Sequence, residues 1–121
     1  QWAETMAYKD AMFGTAAQYD ALFKKTYDGY KNVPYQAAQA SAAVQVWKDA
    51  FERAQSFDTE KVRDALSATD MQSFYGNIKF SKAGNNVAKP MALRQIQGGK
   101  YNVVAPAAFA SHKVMHPRKA K

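Results

Sequence analysis

The chain has 121 residues, which is enough for one ordinary domain and too few for two domains that each have a hydrophobic core of ordinary size. It contains no cysteine, so disulfides, thiolate nucleophiles and thiolate metal ligands are excluded. No apolar run approaches the roughly 18 residues that a membrane-spanning helix requires, and the mean hydropathy is −0.52. The chain opens at Gln1 without an initiator methionine, so we expect that residue 1 is not the biological start.

The net charge of +7 is distributed unevenly along the chain. Residues 1–60 carry six basic and eight acidic side chains, whereas residues 61–121 carry eleven basic and two acidic ones. A basic half of this kind occurs in proteins that bind nucleic acid or anionic surfaces. Here the positive residues are spread singly along predicted strands and loops, apart from the terminal cluster SHKVMHPRKAK. The pattern favours a solvated basic tail and leaves a small nucleic-acid-binding module as the alternative function.

The first predicted helix follows a strand end and a loop in the segment QWAETMAYKDAMFG. Thr15 is placed to cap this helix, and Gly29 lies near its end. The apolar residues of the helix recur on one face, at Tyr19, Leu22, Phe23, Tyr27 and Tyr30. The sequence KNVP then breaks the helix, because a proline cannot continue it.

Two further helices are predicted between Tyr35 and Asp70. In the first half of YQAAQASAAVQVWKDAFERAQ, the side chains on nearly every face of the predicted helix are small, so the helix can pack closely against other backbone there. Its second half carries an apolar stripe, which predicts the packed face: Val44, Trp47, Phe51 and Ala54. Asp58 then caps a shorter helix, TEKVRDALSA, which is predicted to turn Val62, Leu66 and Ala65 inward.

After Asp70 the period of the apolar residues changes from about 3.6 to about 2, which predicts strands. In SFYGNIKF the residues alternate between two sides, one of which carries Phe74, Gly76, Ile78 and Phe80. MALRQIQ and KYNVVAP flank Gly98-Gly99, a strong signal for a two-residue hairpin. Two or three strands alone form a marginal ribbon with unpaired edges, so we predict that their partners lie in an earlier part of the protein.

The order of these motifs resembles the C-terminal third of the type I periplasmic solute-binding proteins. The resemblance runs from Trp2 to about Pro106, and it rests on DTEKVRDAL, FYGNIKF with Gly84, and QIQGGKYNVVAP. It implies an α/β fold with two lobes, of which this chain is a C-terminal fragment with three helices followed by a β-hairpin or ribbon. The most similar branch is the group that serves ABC importers of branched-chain amino acids and amides.

The resemblance also divides the chain into four parts. Residues 1–14 are a strand end and hinge-proximal loop, and residues 15–70 are the helical part of one lobe. Residues 71–106 are a crossing strand and the β-hairpin of the other lobe, and residues 107–121 are a basic irregular tail. Gly76 fits a crossing strand that lets other backbone approach closely, or an ordinary bulge.

The function that the resemblance implies is that of a non-enzymatic receptor. It captures a small solute (an amino acid, an amide, or an aromatic or organic acid) between two lobes in the periplasm. The expected partners are this solute, the membrane permease of an ABC importer, and the missing N-terminal part of the same protein. No cofactor and no nucleic acid are expected. The exposed strand edges leave assembly of the isolated fragment as a further possibility.

The sequence itself argues against an enzyme and against a metal site. It has no Ser-His-Asp order, no G-x-S-x-G, no P-loop and no Gly-rich dinucleotide turn. His112 and His116 have the spacing of two ligands on one helical face. No carboxylate accompanies them and Pro117 follows directly, so no metal is expected.

Four residues are predicted to line the ligand cleft: Trp2, Met6, Tyr8 and Tyr35. The resemblance places the segment of the first three near the hinge, where an aromatic wall supplies buried apolar area for a ligand. The alternative for Trp2 is packing in the core of its lobe or against the hinge. The alternative for Tyr35 is packing at the start of the second helix.

Overall fold

The computed structural model describes residues 3–116, so Trp2 and the end of the predicted basic tail lie outside the described residues. Residues 3–116 form, in chain order, β1 (Lys9–Asp10), β2 (Gly14–Thr15), α1 (Ala16–Thr26), α2 (Tyr35–Ala54), α3 (Thr59–Ser67), β3 (Asp70–Ser73), β4 (Gly76–Lys79), β5 (Leu93–Gln97) and β6 (Lys100–Ala105). The strands form three antiparallel pairs, β1–β2, β3–β4 and β5–β6. The predicted α/β class, with three helices followed by a hairpin, is confirmed. None of the helices in the described part of the chain is both long enough and apolar enough to cross a membrane.

Helix α1 begins where the sequence predicts, after the N-cap Thr15. The Thr15 hydroxyl accepts a hydrogen bond from the Gln18 amide at 3.1 Å, and the Gln18 side chain accepts one from the Thr15 amide at 2.7 Å. This capping box satisfies two of the amide groups that a helix start leaves open. Of the predicted apolar stripe, Tyr19 is buried, whereas Leu22 and Tyr27 are half exposed.

The buried face of α2 is not the predicted one. The apolar side chains that α2 buries are small and recur every fourth residue, at Ala38, Ala42, Val46 and Ala50. The predicted stripe lies outside, with Val44 67% and Trp47 48% exposed. The prediction was wrong because small side chains let α2 approach its neighbours closely, while in residues 3–116 the larger stripe is only partly covered, at Phe51 and Ala54. The outer aromatic rings stack on one another instead: the Trp47–Phe51 and Phe51–Phe57 centroids lie 5.6 and 5.3 Å apart.

Helix α3 has the cap and the inner face that its sequence predicts. The Asp58 carboxylate accepts a hydrogen bond from the Lys61 amide at 3.0 Å, which fixes the start of the helix. Val62 and Ala65 are buried, and Leu66 is partly buried. α3 packs against α2 through this face.

Residues 73–80 do not form the single strand that their alternation suggests. Strands β3 and β4 pair as a hairpin whose turn contains Phe74 and Tyr75. Gly76 follows the turn with φ +136°, and an added Cβ there would lie 3.2 to 3.4 Å from the side chain of Lys89, so a glycine is required. Beyond the turn the predicted alternation holds, because Gly76 and Ile78 are buried while the residues between and after them are exposed.

The last hairpin turns at Gly98 and Gly99, as predicted. Both have positive φ, 59° and 75°, which is the backbone that a type I′ turn requires. The β5–β6 ladder shifts register between Leu93 and Arg94, and the neighbouring Val103 and Val104 on β6 are both buried. In residues 3–116 each strand ladder has two strands, so outer strand edges remain without a partner strand.

The carboxylate of Asp10 joins three segments that are distant in sequence. Its Oδ1 accepts hydrogen bonds from the amides of Met12 at 2.8 Å and Phe13 at 2.7 Å. Its Oδ2 accepts from the amide of Phe74 at 2.7 Å and from the side chain of Gln45 at 3.0 Å. The β1–β2 loop, helix α2 and the β3–β4 turn therefore meet at one carboxylate.

The core lies beside Asp10 and is built around aromatic rings. Phe74 is fully buried and stacks on Tyr19, with ring centroids 4.1 Å apart. Phe13 meets both rings edge-on, at 5.1 and 5.2 Å. Ala38 and Ala42 of α2 belong to the same buried cluster, so the small face of α2 makes room for these rings.

We expect Ala38→Leu to lower the free energy of unfolding by about 1–3 kcal/mol, because Ala38 is fully buried and a larger side chain forces the core apart. Ala40→Leu, on the exposed side of the same helix, is the matched control and should change that free energy by less than about 0.5 kcal/mol. Urea denaturation followed by circular dichroism measures both values. Equal effects of the two substitutions would contradict our assignment of the packed face.

We expect Asp10→Ala to lower the free energy of unfolding by about 2–4 kcal/mol, because four donors lose their shared acceptor. Burial raises the pKa of Asp10, but the hydrogen bonds from the Phe13 and Phe74 amides, Gln45 and the Met12 amide lower it further, so the folded pKa lies below its ordinary value.

The stability that ionised Asp10 contributes is therefore present above the unfolded pKa, and it is lost as the pH falls through the lower folded pKa. The difference between wild type and Asp10→Ala should be largest near neutral pH and shrink below about pH 4. Asp28→Ala, at an exposed aspartate, is the control. A difference that grows on acidification would refute the role of the ionised carboxylate.

Candidate functional site

A cavity of about 320 Å³ lies between the N-terminal segment, the α1–α2 connection and the last hairpin. Its apolar and aromatic lining consists of Met6, Val33, Tyr35 and Tyr101. Its polar lining consists of Asp20, Asn32 and Arg94. Two of the four residues that the sequence predicts for the ligand cleft, Met6 and Tyr35, thus line one cavity.

Backbone contacts near the start of α1 position the Met6 side of this cavity. The amide of Ala16 donates to the carbonyl of Tyr8 at 2.7 Å, and the amide of Ala17 donates to the carbonyl of Met6 at 3.3 Å. These bonds satisfy first-turn amides of α1 and hold the N-terminal segment against the helix. Met6 is partly buried and packs against the core cluster.

Tyr35 is the first residue of α2 and follows the N-cap Pro34. The proline fixes the direction in which the chain enters the helix, with φ −58° and ψ 134°. Tyr35 is 56% exposed within residues 3–116, so about half of its surface stays uncovered at the start of α2. Its ring is available to a ligand in the cavity.

The other two predicted residues are not on the described wall. Trp2 lies outside the described residues. Tyr8 is not among the residues that line the cavity, and its ring centroid is 5.5 Å from the Lys89 ammonium and 6.2 Å from the ring of Phe109. Burial raises the pKa of Tyr8, and the nearby Glu4 carboxylate raises it further.

The family model described as periplasmic binding protein matches residues 2–100. The chain belongs to the periplasmic binding protein family. The match confirms the resemblance to the type I proteins, and it covers the N-terminal segment, all three helices and β5 with Arg94. The family consists of non-enzymatic proteins that bind small solutes and act with a transporter, so the chain is identified in general terms as part of a solute-binding receptor.

In this binding protein, a nearly buried ion pair involves the N-terminal segment that carries Met6. Lys89 and Glu4 form it, with side chains 15% and 10% exposed. The Lys89 ammonium also donates to the carbonyl of Tyr75 at 2.9 Å and lies 4.4 Å from the centroid of its ring. The pair fixes the segment before Met6 against the loop between β4 and β5.

Sequence reasoning missed five of the lining residues: Asp20, Asn32 and Val33, and Arg94 and Tyr101 from the last hairpin. In the β5–β6 register Ile96 faces Tyr101 and Arg94 faces Val103, so strand alternation places Arg94 and Tyr101 on the same face of the hairpin. The alternation that places Arg94 and Tyr101 on one face can be read from the sequence. What the sequence lacked was any sign that this face turns toward Tyr35.

Arg94 also influences the pKa of Tyr75, a residue outside the lining of this cavity. Burial raises the pKa of Tyr75, Glu4 and Tyr35 raise it further, and the positive charge of Arg94 lowers it. Arg94 is exposed, and within residues 3–116 no carboxylate forms an ion pair with it. Asp20, the acidic residue of the same cavity, forms an ion pair with Lys24 at 2.6 Å.

A larger cavity, of about 630 Å³, lies between α2, α3 and the loop after β4. Trp47, Leu66 and Phe80 are among its lining residues, and Met6, Tyr8 and Tyr35 are not. Through Trp47 it continues the exposed stripe of α2. We therefore take the smaller cavity, where the N-terminal segment converges with Arg94, as the candidate site.

The two histidines of the sequence do not form a metal site in the described part of the chain. His112 and His116 lie in irregular structure after β6, so their spacing does not place them on one helical face. The His112 ring contacts the Ser111 hydroxyl at 3.0 Å. Among residues 3–116, no group of three or more His, Asp or Glu side chains converges to hold a metal ion.

We expect Lys89→Met to lower the free energy of unfolding by about 3 kcal/mol, because it leaves the Glu4 carboxylate nearly buried without its cation. Lys79→Met is the matched control: it breaks an exposed ion pair with Asp70 and should cost less than about 1 kcal/mol. Urea denaturation measures both. The double variant Glu4→Gln/Lys89→Met should recover part of the loss. A Lys89 variant as stable as the Lys79 variant would contradict the role of the buried pair.

Proposed function

We propose that the binding protein captures a small solute between two lobes in the periplasm and delivers it to the permease of an ABC importer. The observation that carries this proposal is the convergence of Met6 and Tyr35 on one cavity of about 320 Å³. Ligand cavities typically combine an apolar, aromatic lining with a few polar groups that fix orientation. Val33 and Tyr101 add to the apolar lining here, and Asn32 and Arg94 supply polar groups.

Capture follows from the two-sided construction of the cavity. Met6 and Tyr35 come from the N-terminal segment and α2, whereas Arg94 and Tyr101 come from the last hairpin. A solute that contacts both sides binds more tightly when they are close together, and this difference in affinity shifts the population toward the closed form. Trp2 remains a proposed residue of the same wall, and Tyr8 is proposed to support it from behind.

The rest of the cleft is proposed to come from further parts of the same polypeptide. Val44 and Trp47 form an exposed apolar stripe on α2, and the strand ladders of residues 3–116 have edges without a partner strand. Surfaces of both kinds favour contact with another protein segment. Assembly of copies of the isolated chain through these edges is the alternative use of the same surface, and light scattering distinguishes the two.

The rival function, binding of nucleic acid by the basic half, makes a different prediction about salt. Affinity that depends on phosphate contacts falls steeply between roughly 50 and 200 mM salt. Solute binding in a cavity that closes around the ligand responds weakly to salt over that range. Membership of a solute-binding family favours the receptor.

We expect the full-length polypeptide that carries these residues to bind at least one member of a panel of amino acids, amides and aromatic or organic acids in isothermal titration. Tyr35→Ala should then weaken binding by about tenfold, because the solute loses the apolar contact with the ring. Tyr30→Ala removes an equally exposed ring outside the cavity and is the control. Absence of binding across the panel, or equal losses in the two variants, would argue against this cavity as the site.

A further inference from the structure

We propose that Arg94 binds the carboxylate of an anionic solute, so that the cavity selects organic acids over their neutral amides. This inference rests on the proposed function, because it names the solute class of the same cavity. It is carried by the juxtaposition of an arginine that has no carboxylate partner in the described part of the chain with two tyrosine rings in one cavity.

The charge balance of the cavity favours an anion. Among residues 3–116, two ionised side chains line it, Asp20 and Arg94. Asp20 has a cation of its own, because Lys24 lies 2.6 Å from its carboxylate. Within residues 3–116 no acidic side chain forms an ion pair with Arg94. Glu4, which lies in the same N-terminal segment as Met6, pairs with Lys89. The cavity therefore presents a positive charge that a solute carboxylate would neutralise.

The hairpin backbone gives Arg94 a defined position. The register of β5 with β6 shifts between Leu93 and Arg94, which is the signature of a bulge. A bulge changes the direction of the side chains beside it and is frequent next to binding sites. Here it also allows the consecutive Val103 and Val104 to be buried together, so the core holds the strand opposite Arg94 in place.

The chemistry of the neighbours suits a carboxylate attached to an apolar body. A guanidinium group offers two parallel N–H donors that match the two oxygens of a carboxylate. The rings of Tyr35 and Tyr101 and the side chain of Met6 offer apolar contact to the rest of the solute. Excluding water between these rings strengthens the charge-assisted hydrogen bonds.

The test compares matched acids and amides by isothermal titration with the full-length polypeptide. The probes are benzoate and benzamide, 3-phenylpropanoate and 3-phenylpropanamide, and 4-methylpentanoate and 4-methylpentanamide. The proteins are wild type, Arg94→Gln, Arg94→Lys and, as control, Lys100→Gln, which removes an equal charge from the same hairpin outside the cavity. Circular dichroism checks that each variant folds.

We expect wild type to prefer the acid of at least one pair by roughly 10- to 100-fold. Arg94→Gln should abolish that preference by weakening the acid while leaving the amide within about twofold, and Arg94→Lys should retain part of it because the charge remains without the planar fork. Lys100→Gln should behave as wild type.

Two kinds of result would overturn the inference, and they are distinguishable. If wild type binds acids and amides equally, or if Arg94→Gln keeps the preference for the acid, Arg94 does not bind the carboxylate although solute capture stands. If wild type binds neither these probes nor any member of the wider solute panel, the proposed function fails and this inference fails with it.

Discussion

The hydrogen bonds of the Asp10 carboxylate determine where the three main segments of this binding protein lie. Four donors, from the β1–β2 loop, from α2 and from the β3–β4 turn, converge on its two oxygens. With them in place, Phe13 and Phe74 reach the ring of Tyr19 and close the core. The N-terminal segment that carries Met6 then runs beside α1 toward Tyr35, so the candidate cavity depends on a contact outside it.

Helix α2 shows how a chain of this size can have a small core and a large apolar surface. Its inner face is a row of alanines and Val46, which allows close approach to the aromatic core. Its outer face carries Val44 and Trp47, which are 67% and 48% exposed within residues 3–116. Together with the strand edges, this face is the surface that we propose contacts the remainder of the receptor, and its residues Val44 and Trp47 do not line the cavity proposed for the solute.

The sequence predicted well those features that neighbouring residues determine. The caps Thr15 and Asp58 and the Gly98-Gly99 turn depend on contacts within a few residues, and all three were found. The packed face of α2 was predicted wrongly, because apolar area in the sequence does not reveal which side has a partner. The turn at Phe74 was missed because its amide bonds to Asp10, 64 positions earlier in the chain. In the candidate cavity, the resemblance predicted Met6, and the position directly after Pro34 predicted Tyr35. Arg94 required the fold, since strand alternation gives a face but not what that face meets.

The claim on which these relations rest is that the Asp10 carboxylate holds the amides of Phe13 and Phe74 inside a stable network. Amide hydrogen exchange, followed residue by residue by NMR at neutral pH, tests it most directly. Both amides should exchange as slowly as those in the interior of α2. Exchange of either amide at the rate of an exposed loop would show that the network is open in solution and would contradict this description of the fold.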